Sequence, residues 1–345
     1  MPFFLLLCLL PLLNSCYVLS QGWQQNNLLN SRQPVVRVLE DPDTPTTVRA
    51  KLEEVQRILQ YARGAGLNTD GAYQWYVKTS RKAISWVVYA AEPTRLERIT
   101  WWFPITGSVP YLGFFDKEDR DEEARQLRAE GYDVAGGGVG AFSSLGWFDD
   151  PVYTSMLYRS EPALAHLFFH ELTHRTIWIG GSVRFNENLA EYVGAWLTVR
   201  YLRQADRENQ IAKWEAAKRD RILYKKWLGL MREELKKLYA SGQSRERLLQ
   251  GKADIFRKFT GESFPSFETR RYEFARKRSW NNASVLAASL YSPDTERFAR
   301  AHRCLGGSLL KFLETLEDVQ DSYDDAFEAL DSLCPGRNGG TGSHG

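Results

Sequence analysis

Five consecutive residues, His170-Glu171-Leu172-Thr173-His174, combine two imidazoles with a carboxylate. A helix is expected here, because apolar residues recur at helical spacing from Ala163 to Leu172. On a helix, His170 and His174 project from one face and can bind one metal ion at about 2.0 to 2.1 Å. Glu171 lies beside them and can take a proton from metal-bound water and return it to a leaving amine. The pattern is typical of zinc-dependent hydrolysis.

The site needs a third ligand, because two imidazoles alone rarely hold a catalytic zinc ion. A short segment containing Gly180-Gly181 separates His174 from a second helical stretch, in which Glu187 and Glu191 are four apart and share a face. The short connection is long enough to turn between two helices. The sequence therefore predicts one Zn²⁺ per chain, held between two helices.

The order Asn186-Glu187, with Glu191 four residues later, resembles the second zinc helix of the gluzincins. In thermolysin-like and aminopeptidase N-like enzymes, this Asn-Glu pair supplies the third ligand, and the later acidic residue hydrogen-bonds a ligand histidine. The resemblance implies that Glu187 binds zinc and that Glu191 orients an imidazole. Glu191 as the ligand is the alternative. The resemblance also implies that Val139 to Ser144 form an edge strand above the zinc, with a Gly-rich turn as the alternative.

The N-terminal segment predicts export from the cytosol. The apolar run from Phe3 to Leu13 is shorter than the roughly 20 residues of a membrane-spanning helix and is typical of a signal peptide. Leu13-Asn14-Ser15-Cys16 resembles the lipobox of bacterial lipoproteins, which implies lipidation of Cys16 and attachment to a membrane. An ordinary secretory signal is the alternative. Tyr17 is not the Asp that favours inner-membrane retention in enteric bacteria, so we expect a periplasm-facing protein on the outer membrane.

The remaining cysteines, Cys304 and Cys334, form an even pair once Cys8 and Cys16 are assigned to the signal segment. In an oxidising compartment, a disulfide between them is expected, and two buried free thiols are the alternative.

Nearly the whole chain resembles bacterial lipoproteins described as putative aminopeptidases of the gluzincin kind. The resemblance rests on the lipobox, the two zinc helices and three further segments, which are Ser31-Arg32-Gln33-Pro34, Gly138 to Pro151 and Asn281-Asn282-Ala283. It implies a zinc-dependent peptidase, most simply an aminopeptidase, acting on a peptide substrate. An endopeptidase or peptidoglycan-peptide hydrolase, or a non-catalytic zinc-binding envelope lipoprotein, are the alternatives. No Glu between Gly131 and Pro151 is available to hold a substrate amine; Asp149 or Asp150 could do so, or could cap a helix.

The elements around these motifs predict an α+β fold, in which a small zincin-like mixed sheet packs on the zinc-binding helices. A helix is expected from an N-cap at Thr46 or Thr47 to Ala62, and another over Asp119 to Glu130. The predicted strands are Tyr73 to Val77, Ile84 to Tyr89, Ile99 to Phe103 and the Gly-rich Tyr132 to Phe142. From Glu161 onward helix is expected, with a helical hairpin in Tyr201 to Lys258.

These elements divide the chain into a signal peptide (1–16), a tether (17–45), a metallopeptidase core (46–200), a helical region completing the cleft (201–335) and a disordered tail (336–345).

Four further polar residues are candidates for the site. Tyr291, Asn281 and Asn282 could stabilise an oxyanion, although a buried structural amide is the commoner role for Asn. His166 lies one turn before the motif and could contact the metal or remain a helix-surface histidine.

The charge balance excludes two broad classes of protein. Lys+Arg 45 against Asp+Glu 43 argues against a nucleic-acid-binding specialist and against a disordered acidic scaffold. The Lys and Arg residues between Ala216 and Lys237 are interpreted as a solvated helix face, with binding to anionic lipid as the weaker alternative.

Overall fold

The structure of the protein is a computed structural model that describes residues 31–79, 83, 85–103, 107–139, 150–289, 295–320, 322–323 and 325–334. Several predicted features lie outside these residues, namely the signal segment with Cys16, Asp149, Tyr291 and the tail 336–345. Of the predicted edge strand, only Val139 is described. Within the described residues, no helix combines the length and the apolar character needed to span a membrane.

The described elements are mostly helical. The helices are α1 (Val35–Glu40), α2 (Thr46–Gly64), α3 (Lys117–Ala129), α4 (Thr154–Leu157), α5 (Glu161–Thr176), α6 (Val183–Gln204), α7 (Glu208–Tyr239), α8 (Arg245–Thr260), α9 (Phe274–Lys277), α10 (Asn282–Ala288), α11 (Glu296–Cys304), α12 (Leu309–Gln320) and α13 (Ala326–Ser332). The strands are β1 (Gln33–Pro34), β2 (Trp75–Val77), β3 (Ser85–Ala91), β4 (Trp101–Phe103), β5 (Gly107–Val109), β6 (Leu112–Phe114), β7 (Asp133–Val139) and β8 (Val152–Tyr153). The fold is α+β, as predicted, and the described elements from Glu161 onward are all helices.

The strands form three small sheets, whereas the sequence predicted one. In the first, β2 pairs antiparallel with β1 and parallel with β8. In the second, β3 lies between β6 and β7 and pairs antiparallel with both. A hairpin of β4 and β5 is the third. Because both edges of β3 are already paired, β3 cannot join β2, and the predicted single sheet is divided.

The largest core surrounds the antiparallel helices α5 and α6. Phe168, Phe169 and Leu172 of α5 pack with Phe185 and Leu189 of α6, and all five are essentially inaccessible to solvent. The same core includes residues of α2, of the β1-β2-β8 sheet and of the C-terminal helices α11 to α13. Elements that are distant in the chain therefore hold the α5–α6 pair in place.

The predicted helical hairpin is formed by α7 and α8, and α6 extends further than predicted, to Gln204. The hairpin has its own aromatic core, in which Trp227 donates a hydrogen bond from Nε1 to the carbonyl oxygen of Phe259 at 3.1 Å. At the start of α8, the Ser244 side chain accepts a hydrogen bond from the backbone N–H of Arg247. The hairpin is thus a separately packed unit whose long helix, α7, also contacts α5 and α6.

Two local details differ from the sequence predictions. Thr46 is the first helical residue of α2, and Pro45 occupies the N-cap position, so the predicted cap lies one or two residues too late. The charged helix α3 begins at Lys117 because Asp116 caps it, accepting hydrogen bonds from the N–H groups of Glu118 and Asp119.

Near the C-terminus, Cys304 and Cys334 are joined by a disulfide bond, and their Cα atoms are 5.6 Å apart. The bond connects the end of α11 to the end of α13, next to the core that α5 and α6 share.

Candidate metal centre

Helix α5 carries the two histidines on its last turns. The helix begins at Glu161, with Pro162 in its first turn, where the missing backbone N–H of proline costs nothing. Its apolar residues Phe168 and Leu172 are fully buried, and this anchors the face that presents His170 and His174. The carbonyl end of a helix also carries partial negative charge, which favours a cation there.

Asn186 fixes the turn between the two helices. Its side-chain Oδ1 accepts a hydrogen bond from the backbone N–H of Ile179 at 2.9 Å, and its Nδ2 donates to the Ile179 carbonyl at 2.7 Å. The residue is 1% exposed, so these two bonds satisfy a buried amide and hold α6 at one register against α5. The sequence pointed to Asn186 as part of a motif but gave no role to its side chain.

Three side chains, those of His170, His174 and Glu187, converge between α5 and α6. The Nε2 atoms of His170 and His174 are 3.2 Å apart. The two carboxylate oxygens of Glu187 lie 3.5 Å from Nε2 of His170 and 3.4 Å from Nε2 of His174. In a tetrahedral zinc site with bonds of about 2.05 Å, neighbouring ligand atoms are about 3.3 Å apart. The donor set and its spacing therefore fit a zinc ion.

The pKa values of His170 and Glu187 are shifted by their mutual contact. Burial alone would lower the pKa of His170, but its hydrogen bond with Glu187 and the charge of Glu171 raise it above the ordinary value. Burial would raise the pKa of Glu187, but its hydrogen bonds with His170 and His174 lower it to about 2. Glu187 is therefore a carboxylate at neutral pH, as a metal ligand must be.

Glu171 follows His170 on α5. It lines a cleft of about 260 Å³ together with His170, and its charge contributes to the raised pKa of His170.

Glu191 lies one helical turn beyond Glu187, and its contacts differ from the predicted ones. Its Oε2 is 3.5 Å from Nε2 of His166, and its other oxygen forms an ion pair with Arg221 of α7. Among the described residues, its ion-pair partners are His166 and Arg221, and its charge also helps to raise the pKa of His170. The antiparallel packing of α5 and α6 places Glu191 opposite the turn that carries His166.

His166 is largely buried and does not lie on the helix surface. Its side chain is 17% exposed, and its ring centroid lies 5.1 Å from that of Trp214 on α7. Burial lowers its pKa to about 4, although the charge of Glu191 acts in the opposite direction. His166 is therefore neutral at neutral pH.

Asn281 and Asn282 have structural roles in this fold. Asn281 caps α10 and donates a hydrogen bond to the Val134 carbonyl of β7 at 2.9 Å. Asn282 is fully buried, and its amide donates to the carbonyls of Glu92 and Arg95 while accepting from the Tyr239 hydroxyl. Both amides are used in packing, so the structure favours the structural alternative over oxyanion binding.

Asp150 does not cap a helix in the described structure. It is 6% exposed, its backbone carbonyl accepts a hydrogen bond from the N–H of Tyr73, and Tyr153 occupies the N-cap position of α4.

The face of α7 toward the centre is more polar than the sequence suggested. Lys218 and Arg221 line the cleft beside Trp214, so part of the predicted solvated face is directed at the site. Lys218 and Arg221 lie four and seven residues after Trp214, a spacing that places all three on one side of α7. This spacing is the signal that could have distinguished them from Arg219. Arg159 and Arg271 also line the cleft, and no local pattern in the sequence connects them with it.

Comparison with known proteins gives one match. A family model described as "Putative aminopeptidase" matches residues 16–329, a range that includes the converging trio and Glu171. No curated protein and no solved structure matches the chain. Because the matched range covers nearly the whole chain, the protein belongs to the putative aminopeptidase family.

Proposed function

We propose that the protein is a zinc-dependent peptidase in which His170, His174 and Glu187 hold one Zn²⁺. The observation that carries the proposal is the convergence of their donor groups in a chain of an aminopeptidase family. The two Nε2 atoms are 3.2 Å apart, and each lies 3.4 to 3.5 Å from a different oxygen of Glu187. When bound, zinc lowers the pKa of a coordinated water and polarises a carbonyl oxygen.

The chain's own residues then have separate tasks. The two imidazoles and Glu187 bind and orient the ion, and the burial of His174 excludes water from one side of it. The Glu171 carboxylate takes a proton from the attacking water and returns it to the leaving amine nitrogen. Asn186 holds the α5–α6 turn, so the position of Glu187 is fixed before any ligand arrives.

The experiment that tests this proposal replaces the general base and leaves the metal ligands unchanged. Glu171→Gln should lower the turnover of a peptide library by roughly 10²- to 10⁴-fold while bound zinc remains stoichiometric. The matched control is Glu53→Gln, which makes the same change at an exposed position of α2 and should keep full turnover. If wild type and Glu171→Gln were equally inert with zinc still bound, the protein would be a non-catalytic zinc-binding protein.

The family name favours an aminopeptidase, and an endopeptidase or peptidoglycan-peptide hydrolase is the alternative within the same chemistry. Acetylating the N-terminus of a cleaved peptide distinguishes the two. An aminopeptidase loses turnover on the blocked peptide, whereas an endopeptidase retains it.

We also propose that Cys16 carries a lipid that attaches the protein to the outer membrane, facing the periplasm. In support, the family match begins at residue 16, where the mature chain would begin. Labelling cells with a fatty-acid analogue should mark the wild-type chain and not Cys16→Ala. Equal labelling of both chains would contradict lipidation at this residue.

A further inference from the structure

The cleft beside the candidate metal centre is rich in cations. It measures about 260 Å³, and its wall includes His170 and Glu171. Its charged residues are two carboxylates, Glu171 and Glu191, and four cations, Arg159, Lys218, Arg221 and Arg271. Ion pairs within the protein neutralise some of these charges and not others.

Two of the cations have carboxylate partners. Arg221 forms an ion pair with Glu191, and Lys218 lies 3.9 Å from Glu215. Among the described residues, neither Arg159 nor Arg271 has a carboxylate within 4.0 Å. The Nε atom of Arg159 is also buried without a hydrogen-bond partner in the described part of the chain. A buried donor of this kind costs free energy unless something accepts from it.

Hydrogen bonds hold the backbone at both arginines in place. Arg159 follows α4, and its carbonyl oxygen accepts a hydrogen bond from Nζ of Lys51 on α2 at 2.8 Å. The segment before Arg271 is attached to α7 through Asp220, which is 1% exposed and accepts from the backbone N–H groups of Glu268 and Thr269. The Thr269 hydroxyl in turn accepts from the N–H of Arg271 at 3.3 Å.

The charges of these two guanidinium groups act on each other. Burial lowers the pKa of Arg159, the positive charge of Arg271 lowers it further, and only Glu171 opposes them. Like charges that line one cleft repel. A carboxylate placed between them would accept hydrogen bonds from both and remove that repulsion.

We propose that this cleft binds a carboxylate of the substrate between Arg159 and Arg271, so that the protein prefers acidic peptides. The inference rests on the proposed peptidase function, because the cleft borders Glu171. The inference also bears on which end of the substrate enters the cleft. A free amine would meet two cations that have no carboxylate partner among the described residues, while Glu191 is already paired with Arg221. The carboxylate can belong to an acidic side chain or to the C-terminus of the peptide.

The test uses alanine-based hexapeptides that carry one Glu or one Gln at each position in turn, each made with a free and with an amidated C-terminus. Turnover of these peptides is measured with the zinc-loaded wild type, Arg271→Gln and Arg270→Gln. Arg270→Gln is the matched control, since it removes the same charge from the neighbouring exposed residue outside the cleft. Arg271→Lys keeps the charge and loses the two-pronged geometry.

We expect the wild type to cleave the carboxylate forms with a kcat/KM about 10- to 100-fold higher than that of the matched amide forms, the range that one charged hydrogen-bonding group contributes. Arg271→Gln should remove most of this ratio, and Arg270→Gln should keep it. A ratio that follows Glu over Gln identifies a side-chain carboxylate, and one that follows the free C-terminus identifies the chain end. Ratios near one in the wild type, or unchanged in Arg271→Gln, would overturn the inference.

Calorimetry separates this inference from the proposed function. If no peptide is cleaved, the hydrolysis proposal fails, and the dissociation constants of the same peptides decide the carboxylate site alone. Tighter binding of the carboxylate forms, lost in Arg271→Gln and kept in Arg270→Gln, supports the site. Equal binding of carboxylate and amide forms contradicts it. Arg159→Gln, after its folding is checked by circular dichroism, should reproduce the loss.

Discussion

Two adjacent levels of the α5–α6 helix pair carry the same residue types but different environments. At the metal level, His170 and His174 face Glu187: their Nε2 atoms are 3.2 Å apart, and each lies 3.4 to 3.5 Å from a different Glu187 oxygen. At the arginine level, one turn away, His166 faces Glu191 at 3.5 Å. The first level has no cation among its described partners, whereas Arg221 occupies the second.

The comparison shows that spacing alone does not define a metal site. At the metal level, the carboxylate raises the pKa of His170, so a positive charge is favoured there. At the arginine level, Arg221 already supplies that charge, and burial holds the pKa of His166 at about 4. A histidine–glutamate pair of this kind is therefore neutralised by an arginine at one level, where α7 presents Arg221, and has no such partner among the described residues at the other.

The largest difference between the levels should appear in zinc affinity. Glu187→Ala should weaken zinc binding by more than about 100-fold, because loss of a ligand exceeds the roughly 10- to 100-fold that the loss of an outer contact costs. Glu191→Ala is the matched change at the arginine level and should weaken binding by less than about 10-fold. Competition with a chelator measures both, and equal losses would shift the ligand assignment toward Glu191.

The pH dependence of stability should report the neutral state of His166. Its folded pKa of about 4 is below the unfolded value of about 6.5, so the unfolded state binds the proton more tightly. The stability from this group is complete above pH 6.5 and is lost as pH falls toward 4, by about 2 to 3 kcal/mol. Urea unfolding of metal-free wild type and His166→Gln should show this difference. Parallel pH curves for the two would contradict the buried neutral imidazole.

Removing the arginine should make the second level more like the first. Because the charge of Arg221 lowers the pKa of His166 and that of Glu191 raises it, Arg221→Met should raise this pKa. Nuclear magnetic resonance titration of the imidazole protons measures the change. The charge-removing control is Arg219→Met on the exposed side of α7, which should leave the pKa of His166 unchanged.

The smallest expected effect concerns the close approach of the helices at the arginine level. A Cβ at Gly194 would lie 3.3 Å from three atoms of His166, whereas one at Gly229 of α7 would meet nothing within 4 Å. Replacing either glycine by alanine gains up to about 1 kcal/mol of helix propensity. Gly229→Ala should therefore gain stability, and Gly194→Ala should gain less because His166 must move. Equal gains in chemical unfolding would contradict the close contact.

The convergence of His170, His174 and Glu187 could be anticipated from the sequence because the information is local. Residues four apart on two successive helices specify two facing rows, and the Gly180-Gly181 turn leaves little choice in how they pack. The α+β class and the α7–α8 hairpin were likewise predicted from periodicity, and the structure has both.

The rest of the site depends on long-range packing, which periodicity does not encode. Arg159 comes from the junction of α4 and α5, and Arg271 from the segment after α8, and only the tertiary fold brings them to one cleft. The ion pair of Glu191 with Arg221 was not anticipated for the same reason, since Arg221 reaches it from α7. The division of the strands into three sheets also depends on pairings that the strand patterns leave open.

The most direct test of the central claim is anomalous diffraction at the zinc edge from crystals of the zinc-loaded protein. We predict one peak per chain, about 2.0 to 2.2 Å from Nε2 of His170, Nε2 of His174 and a carboxylate oxygen of Glu187. A peak between His166 and Glu191, or the absence of any peak at saturating zinc, would contradict the account.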